Sequence, residues 1–122
     1  MNRLRIAFES HTVHHYDLTT LRQEQLAFEL RESKRAIEAM LGSRVTKVAY
    51  PSGMYNGRVI AQAREAGYLG GWKKGGGPVT PRDDPYRLPR IRVRGCTTIS
   101  DFKKKVWSRV EVLRTRGLAE LA

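Results

Sequence analysis

All three histidines of the chain lie within five residues, at His11, His14 and His15. His11 and His15 are four apart, so a helical turn after a strand would bring both imidazoles to one face, where they can converge on a single ion. Neutral imidazole suits zinc and other divalent transition metals. A catalytic zinc takes three protein ligands and keeps one position open for water. Spacing alone therefore leaves two readings: part of a metal site, or a solvated polar loop whose histidines cap a strand or helix. A second unusual run, Tyr50-Pro51-Ser52-Gly53, reads either as a rigid turn or as a site loop. Trp72 offers an aromatic face on which a sugar could stack, and Trp107 reads as a packing residue. Cys96 is the only cysteine, which excludes an internal disulfide and a Cys-rich zinc site. Gly75-Gly76-Gly77 lacks the spacing of a phosphate loop and reads as a surface connection.

Strands and helices must position these groups. Residues 4–8 alternate loosely and run into the His-rich segment, as a strand ending in a loop would. Leu26, Leu30, Ile37, Met40 and Leu41 recur at helical steps, predicting an amphipathic helix over 21–41. Thr20 with Gln23 is its expected capping box, Gly42 its stop, and Glu32 with Arg35 a surface pair. Residues 45–50 are β-branched and aromatic and predict a second strand. A helix over 55–66 buries Val59, Ile60 and Ala63 and ends at Gly67. Residues 68–72 predict a third strand, and 73–86 a flexible connection. Strict alternation over 90–94 predicts a fourth. A last helix over 100–116 has Ser100 as N-cap, an inner face of Phe102, Val106, Val110 and Leu113, and Gly117 as its stop. Alternating strands and helices imply a parallel sheet, in which ligands bind beyond the carboxyl ends of the strands. Both unusual loops follow such ends.

The chain has 122 residues, which suits one domain over 1–122. No apolar run is long enough to span a membrane, and the N-terminus shows no secretory signal pattern. Lys and Arg number 23 against 12 Asp and Glu, a net charge of +11. Most of that excess lies after residue 65. Arg90, Arg92 and Arg94, with Lys103 to Lys105, would attract an anionic wall polymer or nucleic acid.

Ser10-His11-Thr12-Val13-His14-His15-Tyr16-Asp17-Leu18 resembles the second motif of the polysaccharide deacetylases, the NodB-homology domain of family-four carbohydrate esterases, written S-H-[ST]-x-x-H-P-D-L. Tyr16 stands where the family usually has Pro. The resemblance continues through Leu18 to Leu21, Glu29 to Lys34, Val48-Ala49-Tyr50-Pro51 with Gly53, Tyr55-Asn56, Ala66-Gly67-Tyr68 and Asp84 to Ile91. It implies an α/β fold, a partial (β/α) barrel of about four strands alternating with three helices. It also implies hydrolysis of N- or O-acetyl groups on a cell-wall or extracellular glycan, typically in the cell envelope or outside the cell.

By resemblance, His11 and His15 are metal ligands, with zinc the expected divalent ion. Ser52 supplies a backbone N–H to the oxyanion hole, although most relatives have Tyr there, and Ala49 stands where many have Arg. Tyr50, Pro51 and Trp72 are assigned to substrate contact. The family's T-F-D-D-G motif, which holds the third ligand and the general base, has no counterpart here, and neither does its late L-x-H acid. Asp17, Asp83, Asp84 and Asp101 are candidate replacement carboxylates, and His14 reads as a solvent-exposed neighbour. The chain is accordingly expected to be a C-terminal portion of the barrel, weakly active or inactive alone, with an exposed sheet edge that a homodimer or complementing chain would cover. Acetylated polysaccharide is the expected partner, and nucleic acid is set aside. A noncatalytic carbohydrate-binding module and a basic nucleic-acid-associated protein are the alternatives.

Overall fold

The computed structural model describes residues 6–107. A short parallel sheet is flanked by helices. β1 (Lys47–Ala49), β2 (Gly70–Gly76) and β3 (Leu88–Arg90) pair in that order, both pairs parallel. Lys47 lies opposite Gly70 and Ala49 opposite Trp72, and the β2–β3 register slips between Trp72 and Gly76. On the free side of β1, Ser10 forms a single parallel bridge to Val48. Its N–H donates to the Lys47 carbonyl at 3.1 Å, and its carbonyl accepts the Ala49 N–H at 2.8 Å. Of the expected strand at 4–8, Leu4 and Arg5 lie outside the described residues. Residues 6–8 are exposed and unpaired in the sheet, so pairing is confined to Ser10.

α1 (Gln23–Leu41) follows a 3-10 turn, Leu18–Thr20, capped by Asp17, whose carboxylate accepts the Thr19 N–H at 3.0 Å. The expected Thr20–Gln23 capping box is not formed, because the turn places Arg22 at the N-cap, without a side-chain cap bond. Gly42 ends α1 at φ 70°, a left-handed conformation that glycine adopts without the Cβ clash other residues meet. Glu32 and Arg35 pair as expected, and Arg35 lowers the Glu32 pKa by hydrogen bond and charge. α2 (Gly57–Glu65) starts at Asn56, whose side chain accepts the Val59 N–H at 2.9 Å.

The core joins the two layers: Leu18, Leu26 and Leu30 pack with Val48, Tyr50, Val59, Ala63, Tyr68 and Tyr86. Three tyrosines cross it, each hydroxyl donating to a backbone carbonyl. Tyr50 reaches Tyr86 at 2.7 Å, Tyr86 reaches Tyr68 at 2.6 Å, and Tyr68 reaches Leu30 on α1 at 2.8 Å. Burial raises the pKa of both Tyr50 and Tyr68.

Two expectations past residue 72 are corrected. The segment read as flexible from Lys73 continues β2 to Gly76, because β3 pairs along it. The strand expected at 90–94 is β3, ending at Arg90; beyond it Ile91 to Arg94 have no sheet partner, and Val93 is exposed. Among the described residues the sheet has three strands and one bridge, in keeping with the partial barrel of about four strands expected. A third helix, α3, begins at 99 and continues to 107, where the described residues end. Its cap is Thr98, whose hydroxyl accepts the Asp101 N–H at 3.1 Å, in place of Ser100. Phe102 and Trp107 on α3 are largely exposed, against the expected packing of both. Val110, Leu113 and Gly117 lie outside the described residues.

Candidate functional site

Parallel pairing of Ser10 beside β1 sends both unusual loops out of the same edge of the sheet. Their contact is direct: His11 Nδ1 lies 2.6 Å from the Ala49 carbonyl oxygen at the end of β1. A carbonyl only accepts, so Nδ1 carries the proton and Nε2 is left with its lone pair free. The His15 ring stands 4.7 Å from that of His11, edge to face at 68°. Both rings are exposed. The structure thus brings together the two imidazoles that spacing singled out, with His11 oriented as metal-bound histidines are.

The loop that carries them is folded tightly. Thr12 and His15 both adopt left-handed backbone angles, φ 66° and 59°. Such conformations are uncommon for non-glycine residues and persist where surrounding bonds impose them. Ser10 Oγ accepts the Thr12 N–H at 3.2 Å, and Thr12 Oγ1 accepts the His15 N–H at 3.2 Å. Behind the loop, Ser10 Oγ meets Ser33 Oγ of α1 at 2.7 Å, in the buried layer.

Glu29 is the residue that sequence reading missed. It is 2% exposed on the inner face of α1. Oε2 accepts the N–H groups of Val13 and His14, at 2.8 and 3.0 Å, while Oε1 lies 2.7 Å from His14 Nδ1. One carboxylate therefore fixes the middle of the loop and holds His14, which remains solvent-exposed as expected. The signal was present: Glu29 and Ser33, four apart, interrupt the apolar face of α1 between Leu26, Leu30 and Ile37, where buried polar groups need partners.

At the second loop, Ser52 stands exposed at the crest of the Pro51–Gly53 turn with φ 55°. Gly53 N–H donates to the Tyr50 carbonyl at 2.9 Å and Met54 N–H to the Pro51 carbonyl at 3.1 Å, closing the turn. Tyr50 and Pro51 are both buried, and Tyr50 is 0% exposed. Their assignment to substrate contact is corrected accordingly: a ring inside the core offers no face to a glycan, and these residues hold the turn. Trp72 is partly exposed on β2, and its indole N–H donates to the Glu9 carboxylate.

Each candidate replacement carboxylate makes a local turn bond. Asp17 caps Thr19, Asp83 accepts the Thr80 N–H at 2.7 Å, Asp84 accepts the Tyr86 N–H at 2.9 Å, and Asp101 bonds Thr98. Among the described residues, no group of three or more His, Cys, Asp or Glu is placed to hold a metal. Among the described residues, His11 and His15 therefore stand together with no third ligand-bearing side chain placed beside them.

The family model "Polysaccharide deacetylase" matches residues 1–71, a span that includes both loops. The Bacillus subtilis protein YxkH, which bears a provisional polysaccharide deacetylase name, is 33% identical over 88 residues, covering 72% of this chain and 32% of its own length. The Streptococcus pyogenes deacetylase PplD, solved in complex with acetate, has a TM-score of 0.74 at 26% identity, over 80% of this chain and 43% of that one. BC0361, a polysaccharide deacetylase from Bacillus cereus, gives 0.72 at 25% identity, over 80% and 31%. This chain therefore spans less than half the length of each of these relatives. The three-stranded parallel sheet with its helices is a partial barrel of their type. With the family model matching more than half of its residues, and relatives of the same fold beside it, the chain belongs to the polysaccharide deacetylase family.

Proposed function

We propose that this chain carries the two-histidine half of a metal-dependent deacetylase site acting on N- or O-acetyl groups of a cell-wall or extracellular glycan. The observation that carries the reading is the Ala49 carbonyl on His11 Nδ1, which leaves Nε2 free beside the His15 ring 4.7 Å away. His11 and His15 would hold the ion, zinc being the expected one. The chemistry such an ion supplies is Lewis-acid polarisation of the acetyl carbonyl and acidification of water. The protein's part is orientation: Ala49 sets the tautomer of His11, Glu29 sets the loop, and the Ser52 N–H is the oxyanion donor proposed at the crest beyond β1. The third ligand and the proton-transfer groups are not assigned among the described residues. Action in the cell envelope or outside the cell goes with such a substrate.

Calorimetric titration of zinc into metal-free protein tests this, with His11→Ala/His15→Ala as the comparison. Saturable binding lost in the double variant supports the reading; equal binding by both proteins, or none by either, sinks it. The unassigned third ligand favours one other reading, a noncatalytic glycan-binding module on the same fold. Under that reading, glycan binding survives His11→Ala.

A further inference from the structure

Three segments converge on a basic cleft beside β3, the strand farthest from the histidine loop. Gly75, Gly76 and Gly77 at the end of β2 line it together with Arg90, Arg92 and Lys105. A second cleft shares Arg92 and Lys105 with the first and adds Arg94, Thr97, Asp101 and Lys104. The two are therefore continuous. All three glycines take positive φ, 69°, 92° and 89°, so the wall supplied by β2 is bare backbone. Lys73 folds back over Gly76, its Cε and Nζ 3.2 and 3.7 Å from where a Cβ there would stand.

Backbone carbonyls hold the cations in place. Arg90 Nε donates to the Lys73 carbonyl at 2.9 Å, and Lys105 Nζ to the Arg92 carbonyl at 3.0 Å. Between them, the Arg94 N–H donates to Thr97 Oγ1 and the Thr97 N–H to the Arg94 carbonyl, each at 3.0 Å, closing a turn. These bonds fix positions without neutralising charge. Five Lys or Arg side chains thus line the two clefts against one carboxylate, Asp101. Such crowding of like charge is relieved by an anionic ligand.

The guanidinium fork and the ammonium point charge are both suited to phosphate oxygens. Cations follow one another from Arg90 through Arg92 to Arg94, so a ligand with an anion at regular intervals meets them in turn, where a single ion would meet one end. No aromatic side chain lines either cleft. Single-stranded nucleic acid is held by bases stacked on such rings, and this lining offers it none.

We infer that the continuous cleft is a binding site for a phosphodiester-linked polyol, a flexible polyanion without bases, with Arg92 and Lys105 at its centre. The site lies apart from the histidines. In sheet order the Ser10 bridge is followed by β1, β2 and β3, and three strand spacings place the cleft roughly 14 Å along the same carboxyl edge. Binding there needs neither metal nor acetyl group, and it retains the chain on an anionic matrix whatever occurs at His11 and His15.

The test follows the fluorescence anisotropy of a labelled glycerol phosphate octamer titrated with the full chain in the presence of a chelator. Saturable binding is expected, weakening about tenfold or more between about 50 and 200 mM salt as counterions are released. Arg92→Gln/Lys105→Gln should lose about tenfold in affinity, and Arg92→Lys/Lys105→Arg should retain it. Arg31→Gln/Arg44→Gln removes the same charge from exposed positions on and just beyond α1 and should stay within about twofold of the wild type. His11→Ala/His15→Ala should bind as the wild type does. Where the double glutamine variant loses ellipticity, Arg94→Gln, exposed in the turn, serves instead with about a threefold loss. Absence of binding by the wild type, or equal binding by the cleft variants, overturns the site. Equal losses in the cleft and α1 variants assign the binding to net charge and overturn it, as does loss in the histidine variant. Tighter binding of an oligothymidylate octamer, or of vesicles of equal parts phosphatidylcholine and phosphatidylglycerol, assigns the cations to nucleic acid or to a lipid surface and overturns the polyol reading.

Discussion

Glu29 concentrates on one carboxylate the bonds that hold the histidine loop: two backbone N–H groups and an imidazole nitrogen. Glu29→Ala takes the acceptor from these part-buried donors, and a hydrogen bond to a charged group contributes about 1.5–3 kcal/mol. A loss of about 2 kcal/mol is expected in urea unfolding with unchanged slope, together with about tenfold weaker zinc binding, the scale at which supporting contacts tune metal affinity. Unchanged zinc affinity would show that Glu29 does not organise the histidines. Ser52 is a different case, because its left-handed φ of 55° strains any residue with a Cβ. Ser52→Gly should leave the melting temperature equal or higher, whereas Ser52→Val should cost about 2 kcal/mol in the same unfolding measurement. At this scale the histidines were legible from residue type and spacing. Glu29 was not read, since a Glu on a helix is ordinarily solvated and only its burial on the inner face shows what it binds.

Among the elements, β2 owes its position to small residues. Gly71 lies under the Tyr50 ring, and a Cβ there would come within 2.1 Å of the Tyr50 hydroxyl oxygen. Gly71→Ala must therefore displace the ring or the strand, at about 2–3 kcal/mol. Hydrogen exchange should report it locally as lost protection of the Tyr50 N–H, which donates to the Trp72 carbonyl at 3.1 Å. If stability and protection both survive, the tyrosine core is looser than its geometry implies. Helix α1 was legible because Leu26, Leu30 and Ile37 repeat at its period, and α2 because Val59, Ile60 and Ala63 do. The continuation of β2 was not: Lys73, Lys74, Gly75 and Gly76 have neither alternation nor β-branching, and only pairing with β3 makes them a strand. Conversely, Arg90 to Arg94 alternates strictly yet leaves the sheet after Arg90, since alternation supplies a face and not a neighbour.

Across the described residues, the tyrosine chain from Tyr50 through Tyr86 and Tyr68 to Leu30 ties the end of β1 and the segments that lead into β2 and β3 to α1. Burial raises the Tyr50 and Tyr68 pKa values above 10.0, their ordinary value. The folded state therefore retains these protons where the unfolded chain would release them. The stability this contributes is fully present below the ordinary tyrosine pKa and is lost as pH rises beyond it. Alkaline titration followed by phenolate absorbance should show these two tyrosines ionising together with the loss of structure, and Tyr50→Phe should remove part of the alkaline dependence. Titration of all tyrosines at the ordinary pKa in folded protein would contradict it. The sequence by itself determined the α/β class, the two main helices and the pair of histidines, because periodicity, glycine stops and residue chemistry are local properties. Tertiary structure alone decided that Ala49 orients His11, that Glu29 and Phe28 meet His14, and that Tyr50 is core. Those contacts join residues 14 or more positions apart, and parallel pairing of Ser10 with Val48 creates the edge at which they meet.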